Sequence, residues 1–364
     1  MKILIWSGYQ SPHWNKNTYE KTGIGGSEYC VLKLAEYFQM LGHNVIVSGD
    51  VVTGGFDGVQ YIHHSKLLDY RGPVNHTNPT ALKVYSHFDV VIASNYIHYL
   101  KYLEKNYQIT FDKSYFWMHN LTFYKWFKGS ELGEWKTYFQ HPKLTKIVGV
   151  SNYHESQLNN DALALFEYDP NQSEEIITHV NNAIDLRDFT EPLDNKIKGR
   201  IIWSSATDRG IDFILENWDD WKKQLPHLSL VICTPPYAKD WFKNDLSNLE
   251  DVEWKGALNP TQLREQQSMA EYWIYASNYN ETYCITALEM MIQKVKIITT
   301  GSGNIKNLIG DGERGVMIGG VDSNLVIEAL KQEYSNDMLD RAFNYAKEQN
   351  WNNRIQEWIK LITQ

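Results

Sequence analysis

Two glutamates stand eight positions apart in the stretch Asn280-Glu281-Thr282-Tyr283-Cys284-Ile285-Thr286-Ala287-Leu288-Glu289. That spacing is a little over two helical turns, so a helix starting near Thr282 carries Glu289 inside it and leaves Glu281 at its mouth. The first backbone N–H groups of such a helix, at Thr282, Tyr283 and Cys284, have no intrahelical acceptor and attract an anion. A carboxylate does not hold phosphate, but it accepts hydrogen bonds from vicinal hydroxyls of the kind sugars and riboses carry. Two carboxylates flanking an anion pocket therefore suit a nucleotide sugar. The competing reading is helix punctuation, with Glu281 favouring the helix dipole and Glu289 in solvent. Ile285, Leu288 and Ile292 belong to the core under either reading.

Other stretches offer complementary chemistry. Thr22-Gly23-Ile24-Gly25-Gly26-Ser27-Glu28 is a glycine turn running into a helix, where glycine lets a phosphate approach the backbone closely; a plain turn with Ser27 as N-cap is the alternative. The dinucleotide fingerprint is half met. Gly23 and Gly25 are correctly spaced, but the third position falls on Glu28 and a long loop separates the glycines from the preceding strand. Asp50, at the end of the second strand, keeps a nicotinamide-dependent oxidoreductase open as an alternative. In the stretch 201–218 a strand, a small-residue loop and a helix follow in series with Arg209 and Gly210 at the helix entrance. A guanidinium there can hold a diphosphate, or it can pair with a nearby surface carboxylate.

No Asp lies two residues from another, and of the 12 histidines neither the adjacent pair His63-His64 nor His119 stands in a metal-ligand spacing. The sequence therefore predicts a metal-independent site, with the histidine pair structural or solvated. The stretch 123–136, FYKWFKGSELGEWK, interleaves aromatics with lysines. It reads either as a face for an anionic membrane or an extended acceptor, or as a loop burying Phe123, Trp126 and Phe127 with its lysines wet.

These residues need a scaffold to position them. At 364 residues, 43% hydrophobic with 13 Trp and 23 Tyr, the chain has material for two cores. A net charge of -9 excludes a protein that coats nucleic acid. Three scattered cysteines, Cys30, Cys233 and Cys284, fit a reducing compartment, and the opening apolar run is too short for a signal peptide. No apolar run reaches membrane-spanning length, so a cytoplasmic location is expected, with peripheral membrane contact open. Strand-like runs at 2–6, 44–48, 89–94, 114–119 and 146–151 alternate with helical patterns such as 27–42, which predicts parallel α/β. The pattern lapses over 185–200 and resumes with 200–205, a helix over 208–223, and strands at 228–233, 252–256, 271–277 and 294–300. The tail from 337 is helical by period, with Trp351, Ile355, Trp358, Ile359 and Ile362 as its apolar stripe.

Taken in order, GIGGSE, His119 in WMHN, VSNYHESQL, HVNNAIDLRDF, SSATDRGID and NETYCITALEMM resemble the retaining glycosyltransferases of family 4, over nearly the whole chain. The resemblance implies an α/β, GT-B fold: two Rossmann-like domains with parallel sheets facing a central cleft. Residues 1–187 would form the acceptor-side domain and 188–348 the nucleotide-sugar domain, with the 349–364 helix packing back on the first. By position, Gly25 and Gly26 correspond to glycines facing the diphosphate or acceptor, and His119 to the histidine near the reacting sugar. Arg209 corresponds to a basic diphosphate ligand, Glu281 to the glutamate on the donor sugar, and Glu289 to the ribose-binding glutamate. Thr282, Tyr283 and Cys284 supply amides to the phosphates.

The chain departs from that pattern at three places. Ser204 replaces a second arginine, Ala183 replaces a glycine, and Thr282-Tyr283-Cys284 replaces Gly-Phe-Gly. With one cation fewer, leaving-group stabilisation rests on helix amino ends and on hydroxyls such as Ser205 or Thr207. The implied activity is transfer, with retention, of a sugar from a nucleoside diphosphate to a glycan or lipid-linked acceptor hydroxyl, without metal or other cofactor and without nucleic-acid partners. A non-catalytic nucleotide-sugar-binding protein is the second alternative.

Overall fold

The computed structural model describes residues 1–8, 13–69, 87–107, 109–123, 139–166, 170–238, 240 and 242–364. They divide into a first unit, Met1–Lys16 with Gly26–Asn182 and Asn352–Gln364, and a second, Asn17–Gly25 with Ala183–Trp351.

In the first unit, β1 (Lys2–Trp6), β2 (Asn44–Gly49), β3 (Gly54–Phe56), β4 (Val59–His63), β5 (His87–Ser94), β6 (Thr110–Trp117), β7 (Leu144–Gly149) and β8 (Ile177–His179) form one sheet. Its order is β3-β4-β2-β1-β5-β6-β7-β8. β1 lies between β2 and β5, both parallel to it, and Ile3, Leu4, Ile5 and Trp6 are all fully buried. A strand covered on both faces needs an unbroken apolar run, which is why KILIW was legible without alternation. The antiparallel exception is β3 against β4, joined by Asp57 and Gly58 at φ 47 and 83. Two successive positive φ angles make the tight hairpin whose twist matches its strands, the geometry that an Asp-Gly pair favours. Helix Gly26–Met40 buries Val31, Leu32, Leu34, Ala35 and Phe38 as its period requires.

In the second unit, β9 (Arg200–Trp203), β10 (Ser229–Cys233), β11 (Val252–Gly256), β12 (Tyr272–Tyr275), β13 (Lys296–Thr299) and β14 (Val316–Met317) form a parallel sheet in the order β11-β10-β9-β12-β13-β14.

Several elements differ from the sequence reading. The expected strands at 114–119 and 146–151 each begin and end earlier, and β3, β4, β8 and β14 have too few residues to show a period. The loop expected before the glycines contains helix Lys16–Thr22. The tail is two helices, Asn336–Glu348 and Trp351–Thr363, because Asn350 leaves the helix to bridge Ile184. Of the aromatic and lysine stretch 123–136, Phe123 is buried and the rest lies outside the described residues. Among the described residues no helix is long and apolar enough to cross a membrane.

The last helix belongs to the first unit. Trp358 is fully buried with its ring 5.1 Å from that of Trp117, and the Tyr115 hydroxyl donates to the Leu361 carbonyl at 3.0 Å. Trp358→Ala should therefore destabilise the first unit by about 3–5 kcal/mol, the scale of a buried tryptophan truncation. Chemical denaturation checks it, and a loss below about 1 kcal/mol would mean the helix contributes little to that core.

Candidate active site

β9 and β12 are parallel neighbours, Ile201 beside Tyr272 and Ile202 beside Trp273, so the chain leaves both at the same edge of the sheet. In parallel α/β sheets the carboxyl edge is where ligands bind. After β9, Ser204 to Ala206 lead into the short turn Thr207–Arg209 and then helix Ile211–Gln224. Gly210 sits between them at φ 112, and a Cβ there would lie 3.3 Å from the Ala276 carbonyl oxygen. Glycine thus gives the turn its left-handed backbone and lets the loop after β12 come close.

That close approach brings Arg209 to Glu281. The guanidinium lies over the Tyr279 ring, 3.3 Å from its centre, with Nε 3.8 Å from Glu281 Oε1 and Nη1 3.4 Å from Asp208 Oδ2. Glu281 Oε1 also accepts a short 2.5 Å hydrogen bond from the Tyr275 hydroxyl. The Glu281 side chain is 18% exposed. Burial raises its pKa above the ordinary carboxylate value, while the Tyr275 hydroxyl and the Arg209 charge pull it down. Burial beside this carboxylate in turn drives the Tyr275 phenol far up, so it stays a donor. Tyr275 is clamped in an aromatic stack, 5.9 Å from Trp203 and 5.0 Å from Trp273.

The loop holding Glu281 is fixed from behind. Glu281 pairs with Gly303 in a parallel bridge, and the Asn304 amide donates to the Glu281 carbonyl at 2.8 Å. A Cβ on Gly303 would fall 2.4 Å from that carbonyl oxygen, so only glycine fits. Thr300 and Ser302 hydroxyls both donate to the Ser277 carbonyl.

The helix expected from Thr282 begins at Ile285 and runs to Ile292. Cys284 caps it in the left-handed region at φ 74, without a side-chain cap bond. The turn 282–284 is thus bent back before the helix starts, a conformation the sequence did not announce because no glycine marks it. Cys284 is buried, which pushes its thiol well above the ordinary range and leaves it unreactive.

Glu289 lies inside the helix but is not solvated. Its Oε1 is 2.8 Å from Arg264 Nη2 and its Oε2 accepts from Gln267 Nε2 at 2.8 Å. Arg264 also stacks on Phe189, 4.6 Å from the ring centre, and donates to Gln267 Oε1 at 3.0 Å. These two contacts take one position on each oxygen of a carboxylate that has roughly four acceptor positions in all. Tyr19, from helix Lys16–Thr22, reaches this neighbourhood and donates to Asp188 Oδ2 at 3.2 Å.

The remaining predicted residues are placed as follows. Ser205 lends its carbonyl to Trp203 Nε1 at 3.0 Å, and the Ser204 hydroxyl next to it is buried with no hydrogen-bond partner among the described residues. Gly25 falls in the second unit and Gly26 opens the helix of the first, with nothing within 4 Å of where its Cβ would stand. Ser27 lies within that helix, so the turn with Ser27 as N-cap is not formed. His119, in the first unit, receives no proton at neutral pH: burial, with His154 alongside, lowers its pKa to about 3. Its amide donates to Asn95 Oδ1 at 2.8 Å and its ring lies 4.5 Å from that of Trp117. The dinucleotide fingerprint is not assembled. Helix Lys16–Thr22 separates β1 from the glycines, Gly23 packs against Leu258 and Pro236, and the Asp50 carboxylate faces His64.

Two α/β units, each built on a parallel sheet, make the GT-B fold. Anabaena HepE, solved in complex with UDP and glucose, superposes with a TM-score of 0.69 at 13% identity, covering 100% of this chain and 99% of that one. Sucrose-phosphate synthase of Thermosynechococcus elongatus gives 0.67 at 14% identity over 99% and 98%, and a glycosyltransferase of Rickettsia africae 0.66 at 15% over 99% and 97%. Residues 201–350, which contain Arg209, Glu281 and Glu289, match the family described as Glycosyl transferases group 1. No curated protein matches the chain by sequence.

Tyr275, Tyr279, Gly303 and Arg264 escaped the sequence reading. Tyr275 was hidden in an apolar strand, and Arg264 pairs with Glu289 across 25 residues. Tyr275→Phe should move the acid limb of the activity profile to higher pH, because the variant loses a hydrogen bond that favours ionised Glu281. A pH profile of turnover decides it: an unshifted limb would mean that this bond does not set the charge of Glu281.

Proposed function

We propose that this protein is a retaining, metal-independent glycosyltransferase that moves a sugar from a nucleoside diphosphate to an acceptor hydroxyl of a glycan or lipid-linked saccharide. The observation that carries the proposal is Glu281, largely buried, held by the Tyr275 hydroxyl beside Arg209, and followed by a turn into a helix amino end. The group 1 match over 201–350 and the GT-B fold support it. HepE and its ligands make uridine diphosphate sugars the first donors to try.

In this reading the helix amino end from Ile285 and the Arg209 guanidinium receive the diphosphate, and Glu281 accepts hydrogen bonds from donor-sugar hydroxyls. Glu289 takes ribose hydroxyls at acceptor positions beyond those that Arg264 and Gln267 occupy. As the bond between the anomeric carbon and the phosphate oxygen breaks, negative charge gathers on that oxygen, where Arg209 stabilises it. The acceptor oxygen bonds to the anomeric carbon from the same face, its proton passing to the departing phosphate oxygen. No carboxylate serves as covalent nucleophile. With Ser204 in place of a second arginine, the Tyr279-stacked Arg209 carries the leaving-group charge in this reading.

Release of UDP from UDP-glucose and related donors tests the proposal, and binding without any release over several donors would instead favour a non-catalytic nucleotide-sugar-binding protein. Arg209→Ala should lower turnover roughly 10- to 1000-fold, the scale of removing one preorganised charge stabiliser; an unchanged rate in a folded variant would move the leaving-group role elsewhere. Turnover should survive EDTA, and a loss restored by manganese or magnesium would contradict metal independence.

A further inference from the structure

The first unit holds a cluster that donor chemistry leaves unused. His13, Asp50 and His63 come from the segment before helix Lys16–Thr22, the residue after β2 and the last residue of β4, and one ligand atom of each lies within 4.8 Å of the others. By spacing alone His63 and His64 show no ligand set and read as structural or solvated. The fold supplies the missing partners. We infer that this cluster is a binding site for a borderline-soft divalent cation of the zinc type, held by the imidazoles of His13 and His63 and the carboxylate of Asp50, with a fourth position open.

Geometry and donor chemistry both carry the assignment. His63 Nε2 lies 3.6 Å from Asp50 Oδ1. That is too long for a hydrogen bond, but it approaches the edge of roughly 3.3–3.4 Å that a tetrahedral ion with bonds of about 2.0–2.1 Å spans between two ligands. On the far side of the same ring, Nδ1 is 2.8 Å from Ser65 Oγ, a hydroxyl placed to accept the Nδ1 proton once Nε2 is a ligand. The Ser65 amide, 3.3 Å from Nδ1, favours the other tautomer when no ion is bound.

Asp50 is oriented in turn. His64 Nε2 lies 3.3 Å from its Oδ1, and the His64 ring stands edge-on to buried Trp6, 6.1 Å away. The Asp50 amide donates to the Gly8 carbonyl at 3.0 Å, tying the ligand to the ends of β1 and β2. Two imidazoles and one carboxylate select zinc, cobalt, nickel or copper over magnesium and calcium. Three protein ligands with one open position are the arrangement of an ion that receives a further oxygen ligand rather than one sealed in as a staple.

The test is calorimetric titration of the chelator-stripped protein with zinc chloride, and separately with magnesium chloride. Zinc should bind at one ion per chain and raise the unfolding temperature, and magnesium should do neither. The double variant His13→Ala/His63→Ala and the near-isosteric Asp50→Asn should each lose that binding while unfolding cooperatively, whereas His227→Ala, an exposed histidine of the second unit, should keep it. Ser65→Ala should weaken it roughly 10- to 100-fold. No zinc binding to the stripped protein would overturn the site, and so would zinc binding of equal strength in Asp50→Asn and the double variant.

Discussion

Glu281 is a carboxylate taken largely out of water, and an isolated charge there would neutralise itself by taking up a proton. Its charge survives to the extent that the Tyr275 hydroxyl and the Arg209 guanidinium favour it. Much of the surrounding structure is what that arrangement requires. Trp203 and Trp273 fix Tyr275, Tyr279 fixes Arg209, Gly210 lets the β9 and β12 loops meet, and Gly303 accepts the Glu281 backbone where no other residue fits. A carboxylate prepared in this way offers oriented, desolvated acceptors, which are worth more to a hydroxyl than the same group in water.

Much of the fold was legible because parallel strands covered on both faces must be apolar throughout. KILIW, NVIVS and LSLVIC announce themselves as strands, and the stripe containing Trp358 announces a helix with one apolar face. The short edges were not legible. β4 is five residues long, and its hairpin partner β3 only three, although the Asp57-Gly58 pair between them was a usable turn signal. The break at Asn350 could not be read from a helical period that resumes in nearly the same phase.

For the site, residue types and spacing pointed to Glu281, Glu289 and Arg209, but not to what holds them. Cys284 adopts a glycine's conformation without being one, so the helix start was placed three residues early. Glu289 was read as solvated or ribose-facing, because its partners Arg264 and Gln267 come from a different helix. Asp50 and His63 meet because β2 and β4 are neighbours in the sheet, and His13 joins them beside the bridge between Trp14 and Val51, facts of topology and not of spacing. In each case the hidden information is a long-range pairing.

In the proposed function Glu281 serves the transferred sugar and not the nucleotide. Calorimetry of Glu281→Gln with UDP and with UDP-glucose, beside Glu289→Gln, tests it most directly. Glu281→Gln should bind bare UDP nearly as tightly as the parent and lose about 1.5–3 kcal/mol, roughly 10- to 150-fold, only toward the sugar form. Glu289→Gln should weaken both ligands. Equal losses toward both ligands in the two variants, or no loss in either, would reduce the pair to helix punctuation.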